Sequence, residues 1–236
     1  MQKTPVVFLP GLLNDGELWQ QQVEDLSSMV DPMIADLTLD DSIEAMADRV
    51  LSSISGPFVL VSMSMGGYVA FEIMRIAPER ILGVALLATS ASPDKPDRQK
   101  ERIQAISALE HGNFRGVTKK FLPRLLHKTN LELPVADKVM TMAMRVGGSV
   151  FLRQQQAILN RRDYRELLGD IDTPTLVGVG DSDQLTPLDE AQLIHAGIRG
   201  SKFHLFDNCG HLPPLEAPDE TTRILQDWIS QLERPV

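Results

Sequence analysis

Val59-Leu60-Val61-Ser62-Met63-Ser64-Met65-Gly66-Gly67-Tyr68 is the stretch that decides the reading of this chain, because an apolar strand runs directly into a serine flanked by small residues. A sharp strand-to-helix turn pushes a hydroxyl out of the backbone path and needs small neighbours two positions to either side. Gly66 supplies one of them, and Ser62 stands where glycine is usual. A helix starting near Gly66 would aim its first amides at an oxygen bonded near Ser64, where they stabilise developing negative charge. Ser64 is therefore the candidate nucleophile, with Ser62 as a rival hydroxyl.

Working outward, two more segments supply a carboxylate and an imidazole in the order such a turn requires, serine then acid then histidine. The apolar run Thr175-Leu176-Val177-Gly178-Val179-Gly180 leads to the polar loop from Asp181 to Pro187, where Asp183 is the candidate acid. The run from Lys202 to Phe206 leads to Asp207-Asn208-Cys209-Gly210-His211, where His211 is the candidate base. Each lies just past the C-terminal end of an expected parallel strand, the edge at which open α/β sheets assemble their sites.

These three loops together resemble the α/β-hydrolase superfamily, in its small lidded esterase-like branch. The segment from Gly180 to Pro187 resembles the family's acid loop, with a carboxylate three residues after glycine and four before proline, which favours Asp183 over Asp181. Gly210-His211 followed by Glu216-Ala217-Pro218 resembles the family's histidine loop and favours His211 over His204. Phe8-Leu9-Pro10-Gly11-Leu12-Leu13 resembles the oxyanion loop, with Trp19 at the usual distance beyond it. By this resemblance the backbone amides of Leu12 and Met65 form an oxyanion hole. Two departures stand out: Pro10 replaces a common histidine, and Ser62 replaces the first glycine of the turn. Ser64 is preferred over Ser62 because Ser-Met-Gly-Gly fits the segment that follows the family's nucleophile.

The rest of the chain alternates strand and helix patterns, as a mostly parallel sheet with helices on both faces requires. Strands are expected at Val6 to Leu9, Pro32 to Asp36, Phe58 to Ser62, Leu82 to Ala88, Thr175 to Val179 and Lys202 to Phe206. Helices are expected at Trp19 to Leu26, Ser42 to Ile54, Gly66 to Ala77, Asp189 to Ile198 and Pro218 to Leu232. Residues 1–92 and 169–236 then form the α/β core of one domain, and residues 93–168 form an insert that reads as helices throughout. An insert this long exceeds an ordinary loop, and the resemblance makes it a lid over the nucleophile.

Composition narrows the function classes. The chain has 236 residues, 43% hydrophobic, enough to bury one substantial core. A net charge of −9 and few aromatic residues argue against nucleic-acid binding. A single cysteine excludes an internal disulfide, and neither a C-x-x-C pair nor a His-x-x-x-His pair offers metal-ligand spacing, so no metal is expected. No apolar run approaches the roughly 20 residues that span a bilayer, and Val6 to Leu13, broken by Pro10-Gly11, suits a buried strand better than a signal peptide. The expected location is the cytoplasm, with no membrane partner; the sequence sets no oligomeric state.

Charge is distributed unevenly. Between Arg98 and Leu168 there are 14 Lys or Arg against 6 Asp or Glu, although the whole chain is at −9. One reading is a lid that attracts anionic substrates, with Arg124, Arg145 and Arg153 as candidate contacts. The other is a solvated face, or one docked on an acidic rim. Met144, beside Met140 and Met142, is a candidate for a pliable pocket wall, with core filling as the alternative. Trp19 either walls the pocket or anchors the first helix. The expected activity is hydrolysis of a small-molecule carboxylic ester through an acyl-enzyme, without a cofactor. The alternatives are an enol-lactonase or a thioesterase or carrier-linked ester hydrolase acting on anionic acyl groups, and, outside catalysis, a ligand receptor that keeps the three residues.

Overall fold

Six strands form one all-parallel sheet in the computed structural model, which describes residues 3–112 and 114–232. The strands are β1 (Thr4–Leu9), β2 (Val30–Ile34), β3 (Phe58–Met63), β4 (Ile81–Leu87), β5 (Thr175–Gly180) and β6 (Lys202–Phe206), in the order β2-β1-β3-β4-β5-β6. Every residue of β3 and β5 is buried, as expected where a parallel sheet is covered on both faces.

Alternation of side chains divides the core into two layers. Val7, Leu9 and Leu60 pack with α2 (Ile43–Ser53), α3 (Met65–Ile76) and α8 (Leu188–Gly197), through residues such as Met46, Val69 and Ile194. Val6, Phe8 and Val61 pack with α1 (Gln20–Leu26) and α10 (Pro218–Ile229), through Leu26, Leu225 and Trp228. Ser42 caps α2 by accepting the Ala45 amide.

The second strand begins two residues earlier than the sequence pattern predicts. Pro32 sits inside it, which an edge strand tolerates because its outer side has no ladder to donate to. The chain from β4 to β5 contains α4 (Pro96–Glu110), α5 (Leu122–Leu125), α6 (Pro134–Val146) and α7 (Gly148–Leu159). It is not helical throughout: residues 114–121 are turns and irregular chain. Because β4 and β5 are parallel neighbours, with Leu87 opposite Gly178, the insert leaves the sheet at the C-terminal end of β4 and the chain crosses back to enter β5 at its opposite, N-terminal end. Gly147, at φ 85°, makes the tight turn between α6 and α7.

Candidate active site

Four residues other than glycine adopt positive φ among the described residues: Leu13, Ser64, Ala88 and Asn208. All four follow strands at their C-terminal ends, so backbone strain is concentrated along one edge of the sheet, as it is at functional sites. Ser64, at φ 53°, is the single residue between β3 and α3. The turn is held by the Ser64 amide donating to Leu87 O at 3.0 Å and by the Thr89 hydroxyl donating to Ser64 O at 2.8 Å. It also needs Gly66, where a Cβ would lie 2.3 Å from Leu9 O. Ser62, by contrast, is fully buried, and its hydroxyl donates to Ala85 O at 2.8 Å.

The structure brings Ser64, His211 and Asp183 into one line of hydrogen bonds. Ser64 Oγ lies 2.9 Å from His211 Nε2, and His211 Nδ1 lies 2.8 Å from Asp183 Oδ2. A carboxylate facing Nδ1 fixes a proton there, which leaves Nε2 to accept from the serine. Asp183 is almost fully buried, and burial alone would raise its pKa. The His211 ring and the amides of Thr186 and Leu185 outweigh burial and hold the carboxyl below its ordinary range. Thr186, which the sequence reading did not single out, donates its hydroxyl to Asp183 Oδ2 at 2.9 Å. A threonine three residues after an acid at a turn is the signal that marks it. Asp181 has another task, accepting the Asn208 and Cys209 amides.

Backbone contact sets the spacing of the acid and base loops. A Cβ on Gly180 would lie 2.1 Å from Gly210 O, and one on Gly210 would lie 2.6 Å from Leu125 O. The insert is thereby drawn onto the histidine loop, and the His211 amide donates to Leu125 O at 2.7 Å. Glu216, the last residue of the short helix α9 (Pro213–Glu216), joins the same contact. One carboxylate oxygen takes the Gly210 and Leu212 amides; the other takes the His127 amide and the Asn130 side chain.

The loop after β1 passes directly beside Ser64, since a Cβ on Gly11 would come within 3.3 Å of Ser64 Cβ. Leu12 faces the same cavity as Ser64, and Met65 is the first residue of α3. Leu13, at φ 58°, is fixed from the insert: its amide donates to Gln154 Oε1 at 3.0 Å. Gln154 is fully buried and donates in turn to Leu37 O at 3.1 Å. Nothing in the sequence patterning separates Gln154 from its neighbours Gln155 and Gln156.

A cavity of about 440 Å³ opens over Ser64 and His211, walled by Leu12, Tyr68, Val117, Leu125 and Ile158 among others. Of the candidate substrate contacts, Arg124 lines it. The other four lie elsewhere. Trp19 is fully buried in the α1 layer, its ring 5.4 Å from that of Phe8. Met144 is 54% exposed on α6, whereas Met142 of the same helix packs into the core. Arg145 pairs with Asp15 and Glu17 on the surface, which raises its pKa, and Arg153 donates to Thr38 O. An amphipathic helix puts alternate basic residues on opposite faces, and composition does not distinguish those faces. The cavity is lined instead by Arg98, Arg102 and Arg161 as well as Arg124.

A family model described as the alpha/beta hydrolase family matches residues 6–224. The chain belongs to this family. Among its relatives, a pimeloyl-[acyl-carrier protein] methyl ester esterase of Neisseria meningitidis is 27% identical over 192 residues, covering 79% of this chain and 75% of that one. A thermophilic esterase from Thermogutta terrifontis superposes with a TM-score of 0.89 at 27% identity, covering 98% of this chain and 90% of the other. The enol-lactonase from Burkholderia xenovorans LB400 shares the fold, with a TM-score of 0.84 at 20% identity over 98% of this chain and 93% of its own. An ester-hydrolysing enzyme of this family is the coarse identity these likenesses support. Among the described residues, no helix is long and apolar enough to cross a membrane, and no three His, Cys, Asp or Glu residues gather as a metal site.

Proposed function

We propose that this protein is a serine hydrolase that cleaves carboxylic esters through an acyl-enzyme on Ser64. The observation that carries this reading is the unbroken line from Ser64 Oγ through His211 to buried Asp183. His211 takes the Ser64 proton as the oxygen attacks the ester carbonyl, and Asp183 holds the ring in the accepting tautomer and stabilises its cationic form. The amides of Leu12 and Met65 receive the tetrahedral oxyanion, a contribution of roughly 3 to 4 kcal/mol in such sites. His211 then returns the proton to the leaving alcohol and draws one from the water that releases the acid. The 93–168 insert serves as the lid. A cytoplasmic setting belongs to the same reading and suits a chain whose one cysteine, Cys209, is buried and unpaired.

The test is hydrolysis of p-nitrophenyl esters of increasing acyl length, beside labelling by a fluorophosphonate. Ser64→Ala is expected to lose both activities while staying folded, and Ser62→Ala to keep both. Loss in Ser62→Ala with retention in Ser64→Ala would overturn the assignment. A second reading, an enol-lactonase or a thioesterase or carrier-linked ester hydrolase taking anionic acyl groups, is favoured by the charge of the cavity wall: five cations against three carboxylates.

A further inference from the structure

The side of the cavity formed by the insert carries a buried charged cluster that the proposed acyl chemistry does not use. Arg102 is 7% exposed and donates through Nε to Asp94 Oδ2 and through Nη1 to Gln155 Oε1 at 2.7 Å. The Arg161 side chain is 4% exposed, donates through Nη2 to Asp94 Oδ1 at 2.9 Å, and lies 4.4 Å above the Tyr68 ring. One carboxylate therefore serves two guanidinium groups. The next acid on the wall, Glu190, accepts the Ser90 hydroxyl, and Glu101 is shared by Arg98 and Arg124 nearer the surface. With Lys95, the wall holds five cations and three carboxylates in a protein whose overall charge is −9.

Among the described residues, three donors at this cluster are left without an acceptor: Arg161 Nε, which is sealed from solvent, and Arg102 Nη2 and Gln155 Nε2. Neither of the last two is sealed from solvent, and both side chains line the cavity. A buried cation whose partners are incomplete is costly unless an anion completes it. A guanidinium edge beside an amide N–H₂ offers parallel donors matched to a carboxylate. A neutral alkyl chain entering the same space would strip water from these donors and return nothing, so the site discriminates by penalty as well as by attraction.

We propose that Arg102 and Gln155, backed by Asp94 and Arg161, form a subsite for a carboxylate carried by the substrate at a distance from its scissile ester. The subsite deepens the ester-hydrolase reading and rests on it for the identity of the reacting bond. It assigns the substrate class: esters bearing a free carboxylate on the acyl or on the alcohol part.

The experiment compares matched pairs. Mono-p-nitrophenyl glutarate is set against p-nitrophenyl valerate for the acyl side, and the acetyl ester of 4-hydroxybenzoate against phenyl acetate for the alcohol side. In one of the two pairs the wild type is expected to favour the charged ester in kcat/KM, and Arg102→Gln to lower that preference about 10- to 100-fold, chiefly through KM. Gln155→Leu is expected to lower it less, and Arg165→Gln, on the solvent side, to leave the ratio as it is. The pair that responds tells which part of the substrate bears the carboxylate. Calorimetric binding of glutarate to the Ser64→Ala protein gives a readout that does not depend on turnover. Saturable binding lost in Ser64→Ala combined with Arg102→Gln supports the subsite even if every ester proves inert, in which case the ester reading alone fails. Equal or better use of both neutral esters, with a ratio unmoved by Arg102→Gln and no glutarate binding, would overturn it.

Discussion

The two walls of the cavity are built on different principles. On the sheet side, Ser64, Asp183 and His211 each stand on a loop that leaves the end of a parallel strand, and glycines at 66, 180 and 210 let those loops touch backbone to backbone. On the side of the insert, the proposed lid, the corresponding groups are long polar side chains, Gln154, Arg102, Gln155 and Arg161, reaching inward from α4, α7 and the chain after it. The sheet fixes positions through contacts that no rotamer change can relax, whereas the lid fixes them through side-chain hydrogen bonds. Substitution should therefore affect chemistry on the sheet side, and affinity, loop placement or stability on the lid side.

The sharpest way to break that contrast begins with Asp183→Asn, which should leave the fold intact and lower kcat by about 10⁴ through the wrong histidine tautomer; kcat close to the wild-type value in steady-state kinetics would remove the acid from the scheme. Asp94→Asn comes next and acts on stability. Burial opposes ionisation of Asp94, but Arg161 and Arg102 outweigh it and hold its pKa below the ordinary 3.8. The carboxylate's stabilisation is thus present above that value and is lost as pH falls through the lower folded-state one. Denaturant melts at pH 7 should show a loss on the order of 3 kcal/mol in the variant, and the two proteins should converge as the pH drops below 4.

Gln154→Ala is the variant that sharpens the comparison, because it is a lid residue holding a sheet-side loop. Freeing the Leu13 amide should lower kcat by about 10- to 100-fold with KM little changed, and should weaken a boronate transition-state analogue in parallel. An unchanged kcat would confine the lid to covering the site. The smallest effect is expected for Arg145→Ala: its pairs with Asp15 and Glu17 are exposed, so thermal melts should move by less than about 1 kcal/mol and turnover should not change.

What the sequence made legible follows the same division. Strand ends, the serine turn and the glycines beside Asp183 and His211 are local patterns, in which neighbouring residues carry the signal. The start of β2 lies two residues before the predicted one because a proline ordinarily marks the first residue of a strand, and only its place at the sheet edge lets Pro32 sit inside. Trp19, Arg145 and Arg153 are not legible in the sequence, because whether a side chain faces core, cavity or solvent depends on tertiary contacts that the local pattern does not carry. Arg145 meets Asp15, and Gln154 meets Leu13, at separations of 130 and 141 residues. The excess of basic residues in the lid was visible as a count, but the residues lining the cavity differ mostly from those the count suggested.

The order of the strands also bears on how the protein is made. Ser64 and His211 are 147 residues apart, and β6, which delivers the histidine loop, is the outermost strand on its side of the sheet. A ribosome adding about 5 to 20 residues per second needs about 7 to 30 s to travel from one to the other. Under the proposed scheme the emerging polypeptide displays, throughout that interval, a serine with no base to deprotonate it, and reactivity arrives only when the last strand docks.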